Sequence, residues 1–544
     1  MLAVVNPTES SKIDTPAPCI TVHRRVKMGI VLDITHLPAL RDACRRITNT
    51  VPAAYPVITG CLILLGYAYL HRKDQRLVPG VLVVGGNDKQ SIKQNREKFR
   101  QHAKEMLQEG YEKSAGDFFY VPSPLGERLM IPLRYLDELK AAPVDHVDFV
   151  GTFIEMFEGK YTTMGSRSTL HPRVIKAQLN QHLVNLQADV MPAVQEEIAD
   201  SFRDLFPKCD DWTPVPVVEV MTNIVARVSS RMFGCTTLSH NQKWLEASVN
   251  FAIDGFFGAQ KLKQYPEVLK PFVARFLPEV RRIASYYATA EEAAIPMLKD
   301  RQRTGEKVAD LLCWMADQAE GEERQLKFLA GILLKVSFAA IHTSAAAPAQ
   351  LIFDLCAHPE VIEPLRRELD TVCGPDGQIG KSGFHKMVKM DSIMKESQRF
   401  NPLLLITFER IVHRPFTLSS GFSIPAHTTI GIPTQAITMD ESLYPEPEKF
   451  DAFRFAKIRA AEPELDGRSQ YVASNTSSMS FGYGRHACPG RFFAAQEIKA
   501  IMAFILLEYD MRFSAGQSRP ESFPAETQFL PNPMATVEFK RRMK

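Results

Sequence analysis

The sequence predicts a mainly α-helical protein with a small β subdomain, preceded by a single N-terminal transmembrane helix. Three observations predict this fold class. An uncharged segment covers residues 47–70, apolar residues recur at helical spacing after Asp88, and only a few short segments have the β-branched composition of strands. The chain has 544 residues, which is enough for a large hydrophobic core.

The overall composition is that of an ordinary globular protein. Hydrophobic residues make up 45%, charged residues 23%, and the formal net charge is +3. This small charge argues against a protein that binds nucleic acid through bulk charge, so we expect no nucleic-acid partner. The nine cysteines form no CxxC pair, which disfavours a zinc ribbon or a dense disulfide framework and fits a reducing compartment.

The first 87 residues are predicted to hold the protein at a membrane. Residues 47–70 end in VITGCLILLGYAYL, and about 20 such apolar residues span a bilayer; a buried helix of a soluble domain is the alternative. Residues 1–46 are predicted to be a poorly ordered leader, with Met28 as an alternative start. Residues 71–87 form a basic and Pro/Gly-containing hinge. Arginines flank the anchor on both sides, so charge alone does not orient it.

From residue 88 onward the predicted elements are mostly helices. Apolar residues at helical spacing occur in KQNREKFRQHAKEMLQEGYEK, VMPAVQEEIADSFRDLF and ASYYATAEEAAIPMLKDRQR. Strands are predicted for TFERIVHRP, FTLSSGFSIPAHTTIGIP and MATVEFKRR, which are short, β-branched and interrupted by turn residues. Residues 440–480 are rich in proline, glycine and serine, and predict a long irregular segment that still packs on the body.

The stretch FGYGRHACPGRFF, residues 481–493, surrounds Cys488 with three glycines and is called the cysteine loop below. Pro489 suits the first position of the helix predicted after it. Cys488 would then lie at the positive end of a helix dipole, which favours a thiolate over a thiol. These residues alone leave three roles open: a ligand for a soft metal, a structural buried cysteine, or a catalytic nucleophile.

The pattern F-x-x-G-x-[R/H]-x-C-x-G is filled by Phe481, Gly484, His486, Cys488 and Gly490. It resembles the haem-binding loop of the cytochrome P450 family, and the resemblance implies the cytochrome P450 fold. It also implies that Cys488 is the axial ligand of the iron of haem b, that Phe481 belongs to the haem-binding loop, and that His486 contacts a propionate. Thiolate ligation favours cleavage of the O–O bond.

A second motif, KESQRF, contains Glu396 and Arg399 three residues apart and therefore on one helix face. Taken alone, such a pair is usually a solvated surface pair. The family has an E-x-x-R pair joined by an arginine from a later proline-rich segment, and YPEPEKFDAFRF supplies Arg454 here. The resemblance implies that these three residues are structural and lock the haem-side core.

The segment FLAGILLKVSFAAIHTSAAAPAQLIFDL predicts a long apolar helix. A second membrane span is the alternative, which Lys335 and Asp354 disfavour. AAIHTS aligns with the family motif [A/G]-G-x-[D/E]-T-[T/S], so the resemblance matches Thr343 to the oxygen-binding threonine. His342 replaces the acid and is either a proton relay or a satisfied core group. Pro348 lacks a backbone N–H, which predicts that the helix opens beside Thr343.

Further basic residues are candidates for the haem propionates. Arg410, in TFERIV, matches an arginine that often contacts the second propionate in the family. Arg173 or Lys176, in HPRVIKAQL, could serve the same carboxylates. For each of the three, a solvated surface charge is the alternative.

The resemblance extends from the anchor to the helix after Cys488, and is strongest to fungal members that oxidise terpenoids, including the ent-kaurene oxidase type. It implies a monooxygenase that inserts oxygen into a lipophilic, terpenoid-derived secondary metabolite, with O2 and with NADPH electrons supplied through cytochrome P450 reductase. It also implies a single-pass protein of the endoplasmic reticulum membrane whose catalytic domain, residues 88–544, is cytosolic. Residues 149–166, 403–408 and those before Thr343 should line the pocket.

Two other functions fit the same residues. The fold could catalyse a rearrangement or dehydration without added oxygen, which the unusual His342 makes conceivable. Alternatively, it could be a non-catalytic haem-binding protein, which the presence of Thr343 disfavours. Consumption of NADPH and oxygen during turnover separates these possibilities.

Overall fold

The structure is a computed structural model that describes residues 77–184, 190–380 and 382–543, and Gly60 alone among the residues before them. The predicted leader and anchor therefore lie outside the described residues, apart from Gly60. Within the described residues the chain is mainly helical with some sheets, as the sequence predicts.

The α-helices of the described residues cover most of the chain from Lys89 to Glu508. They are α1 (Lys89–Lys113), α2 (Leu136–Ala141), α3 (Phe149–Met156), α4 (Gly159–Thr162), α5 (Leu170–Val174), α6 (Asn180–Val184), α7 (Val190–Leu205), α8 (Val217–Ser239), α9 (Gln242–Lys263), α10 (Lys270–Phe276), α11 (Pro278–Thr304), α12 (Leu311–Gln318), α13 (Leu326–Ala357), α14 (Ile362–Val372), α15 (Gly383–Lys386), α16 (Val388–Phe400), α17 (Thr434–Thr438), α18 (Arg454–Ala461), α19 (Asp466–Ser469) and α20 (Arg491–Glu508).

The strands are short and form one larger sheet and three small ones. They are β1 (Leu82–Val83), β2 (Phe119–Ser123), β3 (Gly126–Met130), β4 (Val147–Asp148), β5 (Thr213–Pro216), β6 (Thr407–Val412), β7 (Phe416–Thr417), β8 (Ser423–Ile424), β9 (Thr428–Ile432), β10 (Tyr509–Arg512), β11 (Phe523–Ala525), β12 (Gln528–Leu530) and β13 (Thr536–Arg541). The six-stranded sheet has the order β1-β2-β3-β9-β6-β4, the three-stranded sheet has the order β10-β13-β5, and β11-β12 and β7-β8 are hairpins.

Helix boundaries follow local sequence signals. The Asp88 side chain accepts hydrogen bonds from the backbone N–H groups of Gln90 and Ser91, and so caps α1. Asn241 caps α9 in the same way through the N–H of Trp244. The helical body therefore begins at the residue where the sequence pattern becomes helical.

Helix α13 is the central element of the helical body. It packs against α8, α9, α11, α16 and α20, and most of its residues are buried. By length and composition it is the one helix among the described residues that could cross a membrane, but its burial among other helices explains its apolar sequence. Helical backbone continues through Pro348, so the opening that we expected beside Thr343 is absent.

Strand β6 contains an irregularity that affects the functional site. Its register against β9 shifts between Thr407 and Arg410, so Phe408 and Glu409 together lie opposite Gly431. Phe408 adopts φ 54°, a left-handed conformation that is uncommon for a bulky residue. A Cβ on Gly431 would lie 2.5 Å from Cγ2 of Ile406, so the bulge requires glycine there.

Candidate active site

The cysteine loop is closed by backbone hydrogen bonds. The N–H of Cys488 donates to the carbonyl of Phe481 over 2.7 Å, and the N–H of Ala487 donates to the carbonyl of Gly484 over 3.0 Å. Gly482 and Gly484 have φ 75° and 69°, which glycine adopts without strain. Cys488 has a free, half-buried thiol. The loop therefore holds this sulfur in a fixed backbone frame.

The helix after the cysteine loop begins later than the sequence suggested. Helix α20 starts at Arg491 with Gly490 as its N-cap residue, so Pro489 lies in the preceding turn and is not the first helical residue. The Arg491 guanidinium donates to the carbonyl of Cys488 over 2.7 Å. Cys488 is thus next to the N-terminal end of α20, close to the helix dipole but not at the cap.

Four basic side chains, called the cationic cluster, lie together beside the cysteine loop: Lys176, Arg410, Arg485 and His486. Burial and then the charges of Arg410, Arg485 and Lys176 lower the pKa of His486 to about 4. Burial and then Arg485 lower the pKa of Arg410 to about 9. Each charge therefore acts against the others, and the cluster has excess positive potential.

Aromatic rings fix two members of the cationic cluster. The Phe149 ring lies 5.1 Å from the His486 ring and 4.6 Å from the Arg410 guanidinium, measured at the centroids and Cζ. Phe408, at the bulge in β6, covers Arg410 at 4.1 Å. Arg410 is 4% exposed, and its recorded hydrogen bond is one from Nη1 to its neighbour's carbonyl.

Of the two early basic candidates, the structure brings only Lys176 to the cluster. Its Nζ donates to the carbonyl of Arg485 over 3.3 Å. Arg173 instead contacts the carbonyl of Gln318 and the carboxylate of Glu323. The sequence motifs alone do not indicate a role for Arg485, although it lies inside the cysteine loop and next to His486.

These residues fit the haem that the resemblance implies. The two propionate carboxylates of haem match a cationic cluster whose neighbouring carboxylate, Asp148, is already bonded to Arg167 at 2.7 Å and His413 at 3.2 Å. A Cβ on Gly490 would meet no atom within 4 Å, so there is open space beside the loop. A single thiolate is also the right donor for one axial position of a porphyrin iron.

The middle of α13 borders open space although the helix is internal. Its residues 338–340 and Ala347 are only partly buried and Thr343 is exposed, between buried turns on either side. The Thr343 hydroxyl donates to the carbonyl of Ala339 over 2.7 Å. Nε2 of His342 lies 3.0 Å from the carbonyl oxygen of Val249 on α9, and burial lowers the pKa of His342. That nitrogen is therefore a donor to backbone, and neutral imidazole ties α13 to α9.

A buried acid near Thr343 escaped the sequence reasoning. Glu497 on α20 is 0% exposed and accepts a hydrogen bond from the Ser229 hydroxyl over 2.8 Å. Burial raises the pKa of Glu497 to about 8, and the hydroxyls of Ser229 and of Ser344 on α13 partly oppose this rise. Its position nine residues after Cys488 on the apolar side of a helix was the available signal.

Aromatic side chains form one wall of the open space. The Phe338 ring of α13 makes edge contacts with the rings of Phe153, Phe157 and Phe251 at centroid distances of 6.2, 5.4 and 6.3 Å. Phe157 also lines a small pocket between α3, the end of α9 and the β11–β12 hairpin. Residues 149–166 and those before Thr343 therefore meet at an apolar wall.

Glu396, Arg399 and Arg454 lie together in the interior. Nε and Nη2 of Arg399 both donate to the Glu396 carboxylate over 2.9 Å, and Nε of Arg454 donates to the same carboxylate over 3.2 Å. The two guanidinium groups also donate to carbonyls of Thr438, Pro447 and three residues between 445 and 449. This triad joins α16 to the irregular segment before α18.

Comparison with known proteins gives consistent matches. The family model described as Cytochrome P450 matches residues 149–539. "Cytochrome P450 monooxygenase olcJ" of Penicillium canescens is 36% identical over 455 residues, covering 82% of this chain and 85% of that protein. "Ent-kaurene oxidase P450-4" of Gibberella fujikuroi is 34% identical over 442 residues, covering 80% and 87%. "Ent-kaurene oxidase" of Fusarium fujikuroi is 34% identical, covering 80% and 83%.

Replacing Arg399 by alanine should strongly destabilise the protein. The change leaves the fully buried Glu396 carboxylate with one arginine, and breaking a buried ion pair costs about 3–5 kcal/mol. Urea denaturation followed by tryptophan fluorescence measures the loss. Arg303→Ala, which removes an exposed partner of Asp300, is the matched control and should leave the midpoint unchanged. Equal midpoints for the two variants would contradict a structural role for the triad.

The Glu497→Gln substitution should change how stability depends on pH. The folded pKa of Glu497 is raised from 4.5 to about 8, so the folded protein keeps a proton that the unfolded chain loses above about pH 4.5. The stabilisation is full below that pH and declines as pH rises through about 8. Wild type should therefore lose stability relative to the glutamine variant between about pH 4.5 and about pH 8, with little further change above that range, measured by urea midpoints. Parallel pH profiles would show that Glu497 does not titrate in this way.

Proposed function

The chain belongs to the cytochrome P450 family as an ent-kaurene oxidase-like monooxygenase, and from this premise we propose that it oxygenates a lipophilic terpenoid with NADPH electrons from cytochrome P450 reductase. The observation that carries this proposal is the free Cys488 thiol held in a closed loop beside the cationic cluster. Hydroxylation or further oxidation of an unactivated carbon is the proposed reaction.

We assign the cofactor to the cysteine loop and its neighbours. Haem b, when bound, supplies the activation of oxygen, and its thiolate ligand favours O–O cleavage. Sγ of Cys488 is the proposed axial ligand. The cationic cluster, including His486 and Arg410, neutralises the propionates, and Phe481 supports the loop through its carbonyl. Binding of two carboxylates would remove the mutual repulsion within that cluster.

Proton handling falls to the partly exposed face of α13. Oγ1 of Thr343 is bonded to the Ala339 carbonyl, and a hydroxyl can both accept and donate a proton at that atom. We propose that His342 serves mainly to hold α13 against α9, because its Nε2 is engaged by the Val249 carbonyl. Glu497 is a further buried acid beside this part of α13, where the Ser344 hydroxyl lowers its pKa.

The substrate class rests on the apolar wall and on the names of two relatives. Phe153, Phe157 and Phe338 present aromatic surface that suits a hydrocarbon skeleton. Leu404 is 38% exposed in the interior segment before β6, within the third predicted pocket region. A terpenoid of diterpene size is the proposed substrate, by likeness to the proteins called ent-kaurene oxidase.

We also propose membrane attachment at the endoplasmic reticulum, with residues 47–70 as the anchor, 71–87 as the hinge, 1–46 as the leader and 88–544 as the cytosolic catalytic domain. Apolar side chains exposed around α10 support this. Phe272 and Phe276 are 64% and 78% exposed on this helix. Such a patch suits contact with a bilayer, where a lipophilic substrate and a membrane-bound reductase are also found.

Turnover with a purified reductase tests the proposed reaction. We expect at least one of two diterpenes, ent-kaurene, the compound named in two relatives, or the diterpene acid abietic acid, to gain oxygen while NADPH and O2 are consumed. A product of unchanged elemental composition formed without oxygen would support rearrangement. Absence of turnover with any tested terpenoid and a competent reductase would support a non-catalytic haem protein.

The Cys488→Ala variant should lose the red-shifted absorption of the reduced carbon monoxide complex, because that band requires a thiolate ligand. Absorption spectroscopy of the purified proteins makes the measurement. Cys373→Ala, which removes another free and half-buried cysteine, is the control and should keep the band. Retention of the band in Cys488→Ala would rule out the axial-ligand assignment.

Replacing Phe272 and Phe276 by serine should weaken membrane binding of protein that lacks residues 1–76. Each buried phenylalanine contributes about 1.5–3 kcal/mol, so the pair should lower vesicle affinity by roughly tenfold or more. Sedimentation with phosphatidylcholine vesicles measures this. Met534→Ser, at a residue 85% exposed outside α10, should not change binding. Equal loss in both variants would argue against a specific membrane face.

A further inference from the structure

The described residues include no anionic partner for Lys335, a buried lysine on α13. Within the described residues, four lysines are more than nine-tenths buried: Lys270, Lys335, Lys395 and Lys499. Lys270 bonds to two glutamates, Lys395 to two carbonyls and a hydroxyl, and Lys499 to a carboxylate and a carbonyl. The contact of Lys335 is with a ring: its Nζ lies 5.6 Å from the centroid of Tyr287. A buried ammonium without a carboxylate or carbonyl is costly, so its position needs an explanation.

The position of Lys335 on α13 places it on the side of the helix that borders the open space. Lys335, Ala339 and Thr343 are spaced four residues apart and lie on one row of the helix surface. At 1.5 Å per residue, Lys335 is about 12 Å from Thr343 along the axis. The row therefore connects Thr343, which is matched to the oxygen-binding threonine of the family, with the cation of Lys335.

Aromatic groups connect the surroundings of Lys335 with the apolar wall. Tyr287 of α11 makes an edge contact with Phe251 at 5.5 Å, and Phe251 in turn contacts Phe338. Tyr287 donates its hydroxyl hydrogen to the carbonyl of Thr163 and is only partly buried. Lys335 thus lies at the end of the same aromatic wall that lines the proposed substrate pocket.

A second polar group without a partner lies near Lys335. His171 of α5 is 2% exposed, and neither of its ring nitrogens has a hydrogen-bond partner. Burial and the charge of Lys335 lower the pKa of His171 well below its ordinary value, so the ring is neutral. Burial alone lowers the pKa of Lys335 to about 8, which leaves the ammonium mostly charged near neutral pH.

We propose that the substrate is a lipophilic carboxylic acid whose carboxylate binds Lys335, with the carbon to be oxidised near Thr343. This specificity rests on the proposed function and narrows its substrate class. One positive charge beside a neutral histidine suits a monoanion and not a diphosphate, which would leave further charges uncompensated. The distance between the two ends suits a rigid polycyclic skeleton that bears the acid at one end.

Equilibrium binding to the haem-loaded full chain tests the inference without reductase, NADPH or turnover. Calorimetric titration compares abietic acid and dodecanoic acid with their methyl esters. We expect at least one acid to bind roughly tenfold or more tightly than its ester. Lys335→Met, which keeps the side-chain length without the charge, should lower the affinity for that acid roughly ten- to hundredfold and leave its ester little changed.

Two variants serve as controls. Lys335→Arg keeps a cation and should retain the preference for the acid. Lys327→Met removes an exposed lysine two turns earlier on the same helix and should behave like wild type. Wild type that binds each acid and its ester equally, or Lys335→Met that retains the preference, would overturn the inference. Because no turnover is involved, failure of the proposed oxygenation would not affect this result.

The pH dependence of binding gives a second measurement. The preference of wild type for the acid should decline between about pH 7 and about pH 9, because Lys335 loses its proton there. Burial raises the pKa of Tyr287, and His171 is already neutral, so neither facing group gains or loses charge in this window. A preference that stays constant across this range would contradict the assigned role of Lys335.

Discussion

Two carboxylates on α16 hold the segments on both sides of the cysteine loop. Glu396 binds Arg399 and Arg454 and also accepts a hydrogen bond from the N–H of Asp451, which fixes the irregular segment before α18. Asp391, five residues earlier, accepts from the N–H of Tyr471 over 2.8 Å and pairs with Lys499 of α20 at 2.7 Å. The segments before and after the cysteine loop are thereby attached to the same helix, α16. Because charges inside proteins are expensive to separate, this arrangement resists the small displacements that would move a sulfur relative to α13.

The opposite condition holds at the cationic cluster, where like charges are brought together. Burial and then Arg485 disfavour the protonated form of Arg410, and burial and then Arg410 disfavour that of His486, while Asp148 is already engaged by other side chains. Such a site is electrostatically incomplete by itself, so an anionic cofactor that binds there also stabilises the folded protein. Loading of haem and local stability should therefore be coupled through these side chains. The carboxylates of α16 are thus paired with cations, whereas the basic side chains near the cysteine loop repel one another and favour an anionic ligand.

The sequence predicted the fold class, the long apolar helix, and strands β6, β9 and β13, because composition and spacing are local signals. It also predicted that Glu396, Arg399 and Arg454 would meet, through resemblance and not through spacing. Strands β2 and β3 were missed, because FYVPS and GERLM have no clear alternation and pair through the whole sheet. The prediction that α13 opens beside Thr343 was wrong. Packing of α13 among five helices keeps the helix continuous, although Pro348 lacks the N–H for one backbone hydrogen bond. The sequence pattern did not predict roles for Glu497 and Lys335, since only their burial in the fold distinguishes them from charged surface residues.

The bulge in β6 has a consequence for how this protein can change. Because side chains alternate along a strand, one register would ordinarily fix the direction of both Arg410 and the proposed pocket residues before Thr407. The extra residue at Phe408 separates them: the part of the strand after it keeps its pairing with β9 and its arginine, whatever happens before it. Insertions or substitutions in residues 403–406 would therefore alter the proposed substrate side without shifting Arg410 on the proposed cofactor side. A single left-handed residue thus divides one strand into a part whose sequence is free to vary and a part whose pairing with β9 keeps Arg410 in place.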